Sequence, residues 1–397
     1  MTMVVRHGGT DTQTGAPRPR IGFVMEQALG HVAYAMNLRA ALAGRQDFEP
    51  VWLEVPYART GIGRLPVVGQ NWTLRGSIRA RRLIARAHRQ QPLDALFIHT
   101  QTISLFAGGF MRRIPTLLSL DATPRNIDAL AAAYDHRVGH PMMERLKRAL
   151  LMRVWRDAQA YTTWSAWAKA SLVQDYGVAA SRVTVVHPGV NVSAFPLRDE
   201  GARQGGRRTR LLFVGGDLRR KGGDLLLETY RRHLSDACEL HLVTGADVPS
   251  GDGVYVHRGL APYSPELLQL YRDADIFVLP TRGDCLAVVL GEAMASSLPI
   301  VTTRVGGHAE AVADGESGFL IDAGDGAALR DRLQRLAGDP ALRLRMGRAA
   351  RAIGEARFNM ATGASTLADL LVRLGRGDAG REAVTAAADR PVQDGVT

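Results

Sequence analysis

Short, wholly apolar runs alternate with longer stretches of helical period along this chain, and the alternation occurs twice. In the first series the apolar runs fall at 21–26 (IGFVME), 51–55, 95–100, 116–120, 160–164 and 183–187, with periodic stretches at about 31–43, 76–90, 125–135, 142–155 and 166–176. A strand that is apolar on both faces must be covered on both, and a helix returning between consecutive strands makes them parallel. The polar stretch 197–210 (LRDEGARQGGRRTR) reads as an interdomain linker, after which the pattern restarts. The second series has runs at 211–215, 239–243, 254–257, 276–280, 299–303 and 318–322, with helices expected at about 222–233, 264–272, 287–296, 326–337, 341–356 and 360–374. The expected fold class is therefore α/β, with two Rossmann-like domains at 21–196 and 197–358 facing each other across a cleft. In such sheets ligands bind beyond the carboxyl ends of the strands, where the strand order reverses. The unpatterned ends, 1–20 and 375–397, are expected to be disordered.

A length of 397 residues suits two cores rather than one. No apolar run approaches the roughly 18–20 residues of a membrane-spanning helix, and the first twenty residues lack the apolar centre of a signal peptide, so a cytoplasmic location is expected. Cys238 and Cys285, the two cysteines, are far apart and read as reduced thiols. The net charge of +11 is unevenly placed: residues 1–190 hold 24 Lys and Arg against 12 Asp and Glu, and the rest hold 26 against 27. A basic first half suits an anionic surface, so peripheral association with the inner face of an anionic membrane, or a phosphorylated acceptor, is expected; nucleic acid is not.

Two stretches carry the chemistry. In LLFVGGDLRRKGGDLLLETY (211–230), a strand runs into a glycine-rich turn and then a helix. Gly215 and Gly216 would let the backbone approach a ligand, and Arg220 and Lys221 would face a diphosphate whose charge grows as its bond to carbon breaks. In TRGDCLAVVLGEAMASSLPIVTT (281–303), Asp284 follows a strand, and Glu292 lies in the helix growing from that loop. The free N–H groups at that helix start suit a phosphate, Asp284 suits sugar hydroxyls, and Glu292 suits the vicinal hydroxyls of a ribose. The plainer reading makes the pair a helix N-terminal charge and a solvated helix position. Asp-Ala-Asp at 273–275 stands before a strand, away from its cleft end, and is read as structural rather than metal-binding.

Taken together, FVGGDLRRKGG, DCLAVVLGEAMASSLPIV and TTRVGGHAEAVADGESGFLID resemble glycosyltransferase family 4, retaining sugar-nucleotide enzymes of the GT-B fold. The resemblance implies that Arg220 and Lys221 hold the donor diphosphate, Glu292 the ribose, and Asp284 the transferred sugar, with amides around Leu286, Ala287 and Val288 on sugar and phosphate. It departs at Gly216, where many members have an Arg, and at Ala287, where a Gly is common. It places Gly30 in a loop near the donor phosphate and acceptor, and Asp121 where relatives often carry a His. It returns the last helix to the first domain and sets Ser165, Gly189 and Val190 beside the donor site. His31, Tyr134, His136 and Arg137 are weaker candidates. The function implied is transfer of a hexose from a nucleoside-diphosphate sugar to an acceptor hydroxyl, with no metal or other cofactor. A non-catalytic sugar-nucleotide or membrane-surface binding protein is the alternative. Hydrolysis by two carboxylates fits less well, because Arg220 and Lys221 would then face no anion.

Overall fold

The computed structural model of the chain describes residues 18–28, 30–58, 71–134, 141–195 and 207–377. His136, Arg137, the terminal stretches 1–17 and 378–397, and residues 196–206 of the expected linker region lie outside the described residues.

In the first sheet, β1 (Arg20–Gln27), β2 (Glu49–Pro56), β3 (Ala95–His99), β4 (Thr116–Leu120), β5 (Ala160–Thr163) and β6 (Val183–Val185) run parallel in the order β2-β1-β3-β4-β5-β6. In the second, β7 (Thr209–Val214), β8 (Cys238–Val243), β9 (Val254–His257), β10 (Ile276–Leu279), β11 (Ile300–Thr303) and β12 (Gly318–Ile321) run parallel in the order β12-β11-β10-β7-β8-β9. The order reverses between β1 and β3 and again between β7 and β10, which fixes where each sheet can hold a ligand. Strand β7 starts two residues inside the polar stretch expected to be linker. Arg210 is accommodated there because its guanidinium pairs with Glu239 and lies 3.5 Å from Asp273.

Helices connect the strands. In the first half these are α1 (His31–Leu42), α2 (Trp72–Gln90), α3 (Gly108–Met111), α4 (Pro124–Ala129), α5 (Pro141–Arg156) and α6 (Ala166–Gln174). In the second they are α7 (Gly223–His233), α8 (Pro265–Asp273), α9 (Val288–Ala295), α10 (His308–Ala311), α11 (Gly326–Gly338), α12 (Pro340–Arg357) and α13 (Met360–Gly375). Many starts are set by a side chain that accepts from a free N–H of the first turn: Asn71, Thr123, Ser165, Ser264, Asp325, Asp339 and Asn359 each do so. Helix α4 is shorter than the expected 125–135. After Ala129 the chain turns through Ala133 N–H to Leu130 O and Tyr134 N–H to Ala131 O, which carries Tyr134 toward the other domain.

Helix α13 crosses back to pack on α1 and on strands β1, β3 and β4. One apolar core therefore runs from Phe23 and Leu38 through Val190, Phe358 and Met360 to Phe277 and Leu329. The other face of the first sheet has its own core around Ile84, Ile98 and Trp155. At the crossing, Val190 N–H donates to Phe358 O (2.8 Å) and Met360 N–H to Val190 O (3.0 Å). A Cβ at Gly189 would lie 2.5 Å from the Met360 backbone, whereas Gly44, in the turn after α1, has nothing within 4 Å. Gly189→Ala is expected to cost about 1–3 kcal/mol by overpacking, and Gly44→Ala to change stability by less than ~1 kcal/mol. Denaturant midpoints at constant m-value check both; equal midpoints would show that the crossing is not tightly packed.

Candidate functional site

A cleft of about 1160 Å³ opens between the carboxyl ends of the two sheets, and every cleft-side residue singled out in the two motifs borders it. Its second-domain wall is built by two loops that leave the neighbouring strands β7 and β10. Gly222 has φ 75°, and a Cβ there would fall 1.9 Å from Pro280 O, so glycine alone lets the first loop lie on the end of β10. Asp217 accepts from Arg220 N–H (3.0 Å), Arg220 Nη1 donates to Gly283 O (2.9 Å), and Thr281 Oγ1 donates to Arg220 O (3.1 Å). Lys221 Nζ bonds Asp284 Oδ2, with both side chains largely enclosed. Burial alone would push the Asp284 carboxyl up, but Lys221, with Arg220 behind it, holds it below the usual carboxylate range. The site thus keeps an ionised carboxylate and two oriented cations together.

The Asp284 loop is backed by the turn after β11. Gly306, at φ 57°, would place a Cβ 2.2 Å from Asp284 O, and Gly307 N–H donates to Cys285 O (2.7 Å). His308 is fully buried beneath: Ala287 N–H donates to its Nε2 (3.4 Å), and its Nδ1 is 3.0 Å from Thr302 Oγ1, which donates to Leu279 O. Burial pushes its pKa down to about 4, so the ring is neutral near pH 7. Glu292 lines the cleft one turn into α9. Its Oε2 accepts from the buried Tyr271 hydroxyl (2.6 Å), and burial raises its pKa, partly offset by that bond.

The first-domain wall presents Gly30, His31, Asp121, Tyr134 and Trp164. The Arg220 guanidinium sits 4.8 Å above the Tyr134 ring, and Gly283 leaves the space that Ala133 fills, so the two walls touch at this end. Asp121 Oδ1 accepts from Ala122 N–H (2.9 Å), and its Oδ2 is 3.8 Å from His31 Nε2. His308, Tyr271, Trp164 and His257 were missed in the sequence. The first sits in the quoted VGGHAEA stretch; the others are single aromatic residues with no spacing to mark them.

Several expectations need correction. Gly30 and Gly216 border the cleft with no protein atom close to where a Cβ would lie, the nearest being Val288 at 4.0 Å from Gly30. Gly215 is small because Phe213 packs at 2.9 Å from where its Cβ would lie. Ser165, Gly189 and Val190 are not among the cleft-lining residues. Ser165 caps α6 and packs on Gly307, Gly189 O accepts from Asn37 Nδ2 (3.2 Å), and Val190 packs on Gly291. Asp275 accepts from Arg210 N–H and Arg207 Nη2 at the amino end of β10, opposite the cleft. Among the described residues no group of three or more His, Cys, Asp or Glu is placed to hold a metal ion.

Two parallel sheets of Rossmann type, joined at a crossing helix and facing a shared cleft with their carboxyl ends, define the GT-B class of folds. Residues 30–194 match the family model described as Glycosyltransferase Family 4, and residues 208–339 match that described as Glycosyl transferases group 1. The chain belongs to glycosyltransferase family 4. A D-inositol 3-phosphate glycosyltransferase from Streptomyces avermitilis is 34% identical over 228 residues, which is 50% of this chain and 48% of that protein. The chain spans about half the length of the curated relatives it matches. Among solved structures, a sucrose-phosphate synthase from Thermosynechococcus elongatus superposes with a TM-score of 0.70 at 17% identity, covering 91% of this chain and 100% of that one. HepE from Anabaena in complex with UDP-glucose superposes with a TM-score of 0.64 at 15% identity, covering 89% and 99%.

The neutral His308 makes stability depend on pH. Its folded pKa lies below the ordinary value of 6.5, so its contribution is complete above that value and is lost as pH falls toward about 4. The unfolding free energy is expected to drop by an extra ~3 kcal/mol across this window in the native chain compared with His308→Gln. Parallel curves for the two proteins would show that His308 does not carry this dependence.

Proposed function

We propose that the chain transfers a hexosyl group from a nucleoside-diphosphate sugar to an acceptor hydroxyl, with retention of anomeric configuration. The observation that carries this reading is the convergence of Arg220, Lys221, Asp284 and Glu292 on one cleft between two domains. Arg220 and Lys221 would lie against the diphosphate, where fixed cations favour the charge that develops on the leaving group. Asp284 would hold hydroxyls of the transferred sugar and Glu292 those of the ribose, with the amides of Leu286, Ala287 and Val288 on sugar and phosphate. Gly30 and Asp121 would face them from the acceptor side. Those side chains supply the positive charge at the diphosphate, so no metal is needed in this reading. The HepE complex with UDP-glucose supports a nucleotide-sugar donor, and the D-inositol 3-phosphate glycosyltransferase relatives a small polyol phosphate as acceptor.

Lys221 and Asp284 pair with each other, so a donor would separate them, turning the lysine to phosphate and the carboxylate to sugar. This gives a test that tells the roles apart. Lys221→Ala is expected to weaken binding of UDP, GDP or ADP, whichever raises the melting temperature most, by tenfold or more, since a charge-assisted bond is worth about 1.5–3 kcal/mol. Asp284→Asn is expected to leave nucleoside-diphosphate binding unchanged or tighter while abolishing most turnover of the sugar nucleotide. If no common sugar nucleotide is turned over or bound, or if Lys221→Ala binds as the native chain does, the reading fails.

The proposed location is cytoplasmic, against the inner face of an anionic membrane. Helix α5 supports this: Met142, Leu146 and Leu150, four residues apart, are 72%, 54% and 41% exposed, and Arg145, Arg148 and Arg153 are exposed on the same helix. No described helix is long and apolar enough to cross a membrane. Pelleting with phosphatidylglycerol vesicles is expected at low salt, to weaken as salt rises, and to be lost in Leu146→Glu/Leu150→Glu. Absence of pelleting at low salt would remove the membrane from the proposal.

A further inference from the structure

Behind His31 a line of polar groups runs from the cleft into the core of the first domain. His31 Nδ1 lies 3.0 Å from His99 Nε2, and His99 Nδ1 lies 3.0 Å from Ser119 Oγ. On the cleft side, His31 Nε2 is 3.8 Å from Asp121 Oδ2. The fold sets this line up. His99 and Ser119 are register partners on β3 and β4, both wholly buried, and His31 opens α1 at the point where the strand order reverses. The rings of Trp164, 5.2 Å away and stacked, and Tyr34, 4.7 Å away, close over His99.

Counting protons leaves one arrangement with complementary ends. His99 is neutral, since burial pushes its pKa well below the ordinary value, and a neutral imidazole has one N–H and one lone pair. The Asp121 carboxylate can only accept. The Ser119 hydroxyl then donates to His99 Nδ1, His99 Nε2–H donates to His31 Nδ1, and His31 Nε2–H is left facing Asp121. The reverse arrangement would aim a lone pair at a carboxylate.

We propose that His31 is a positioning residue for Asp121, and that His99 with Ser119 fixes the His31 tautomer that turns an N–H toward that carboxylate. The consequence for the reaction rests on the glycosyl-transfer reading above. In that reaction the acceptor O–H bond breaks as its oxygen bonds the anomeric carbon. The proton goes to Asp121, and the electron pair of the broken anomeric C–O bond leaves with the diphosphate. An N–H beside Asp121 would draw its Oδ2 toward His31 and so set the orientation of the carboxylate at the cleft wall. The groups that face His31 are His99 from β3, Asp121 from beyond β4 and Trp164 from beyond β5.

Imidazole nitrogen NMR of the full chain with labelled histidine tests the tautomer without any substrate. For the neutral ring the expected spectrum has the His31 proton on Nε2. His99→Gln, which keeps an N–H donor, preserves it, and His99→Phe loses it while circular dichroism stays native. A proton on His31 Nδ1 in the native chain, or an unchanged spectrum in folded His99→Phe, overturns the proposal. In turnover of UDP-glucose, His31→Phe is expected to lower kcat at least tenfold with donor KM unchanged. His99→Phe is expected to lower kcat likewise with donor KM unchanged, with His99→Gln restoring it; an unchanged kcat in folded His99→Phe counts against the proposal. If the native chain turns over no donor, the transfer reading has failed, and the NMR result still decides this one.

Discussion

The Lys221–Asp284 pair joins the loops that leave two neighbouring strands at the point where the second sheet reverses its order. Two charges this enclosed are costly to desolvate singly and tolerable only as a pair, so each residue fixes the other. Around them the backbone has little freedom: Gly222 must yield to Pro280, Gly306 must yield to Asp284, and Arg220 is held by Asp217 and Gly283. The backbone of the cleft wall is thus fixed, and in the proposed reaction only the Lys221 and Asp284 side chains turn as the donor binds, before charge develops. Pre-set cations and dipoles need not reorganise as charge develops, which is the condition under which electrostatics stabilise a transition state most.

The domains are held to one another at the closed end of this cleft rather than across its mouth. The Glu310 carboxylate accepts from Ala166 and Trp167 N–H (2.7 and 2.9 Å), so an acid of α10 in the second domain caps the N-terminus of α6 in the first. Asn37 to Gly189, and the Val190 bonds to the Phe358–Met360 segment, lie at the same junction. With bonds there and one aromatic contact of Arg220 on Tyr134 nearer the mouth, relative motion of the domains would alter chiefly the width of the mouth.

The sequence made the twelve strands legible because a strand buried on both faces shows as an uninterrupted apolar run, and β3, β4, β10, β11 and β12 are buried at every position. The acidic and basic cleft residues were legible for a related reason: charges bracketed by apolar neighbours, such as Glu292 within VVLGEAMA, cannot lie on a solvated face. The structural need for glycine at Gly222 and Gly306 was not legible, because it comes from Pro280 and from the Asp284 loop, which other strands bring against them. His308 and Tyr271 stayed hidden because their partners, Ala287 and Glu292, are 21 residues away in the chain in each case. Such pairings depend on strand order, which periodicity does not contain.

The two walls differ in how much they can vary. The second-domain wall is constrained by backbone contacts at Gly222 and Gly306, and a substitution there disturbs neighbouring strands as well as the site. The first-domain wall is made of residues on three connections: His31 after β1, Asp121 and Tyr134 between β4 and β5, and Trp164 after β5. Exchanging one of them leaves the sheet intact, as loop residues on a rigid scaffold generally allow. In the proposed reaction, discrimination between acceptors would therefore fall to the first wall and the grip on the donor to the second. The line from His31 to buried Ser119 is the exception, since it ties one variable-looking cleft residue to the core of β3 and β4. A change at His31 without a matching change at His99 would leave a buried imidazole nitrogen without its partner, a cost that ordinary cleft substitutions do not carry.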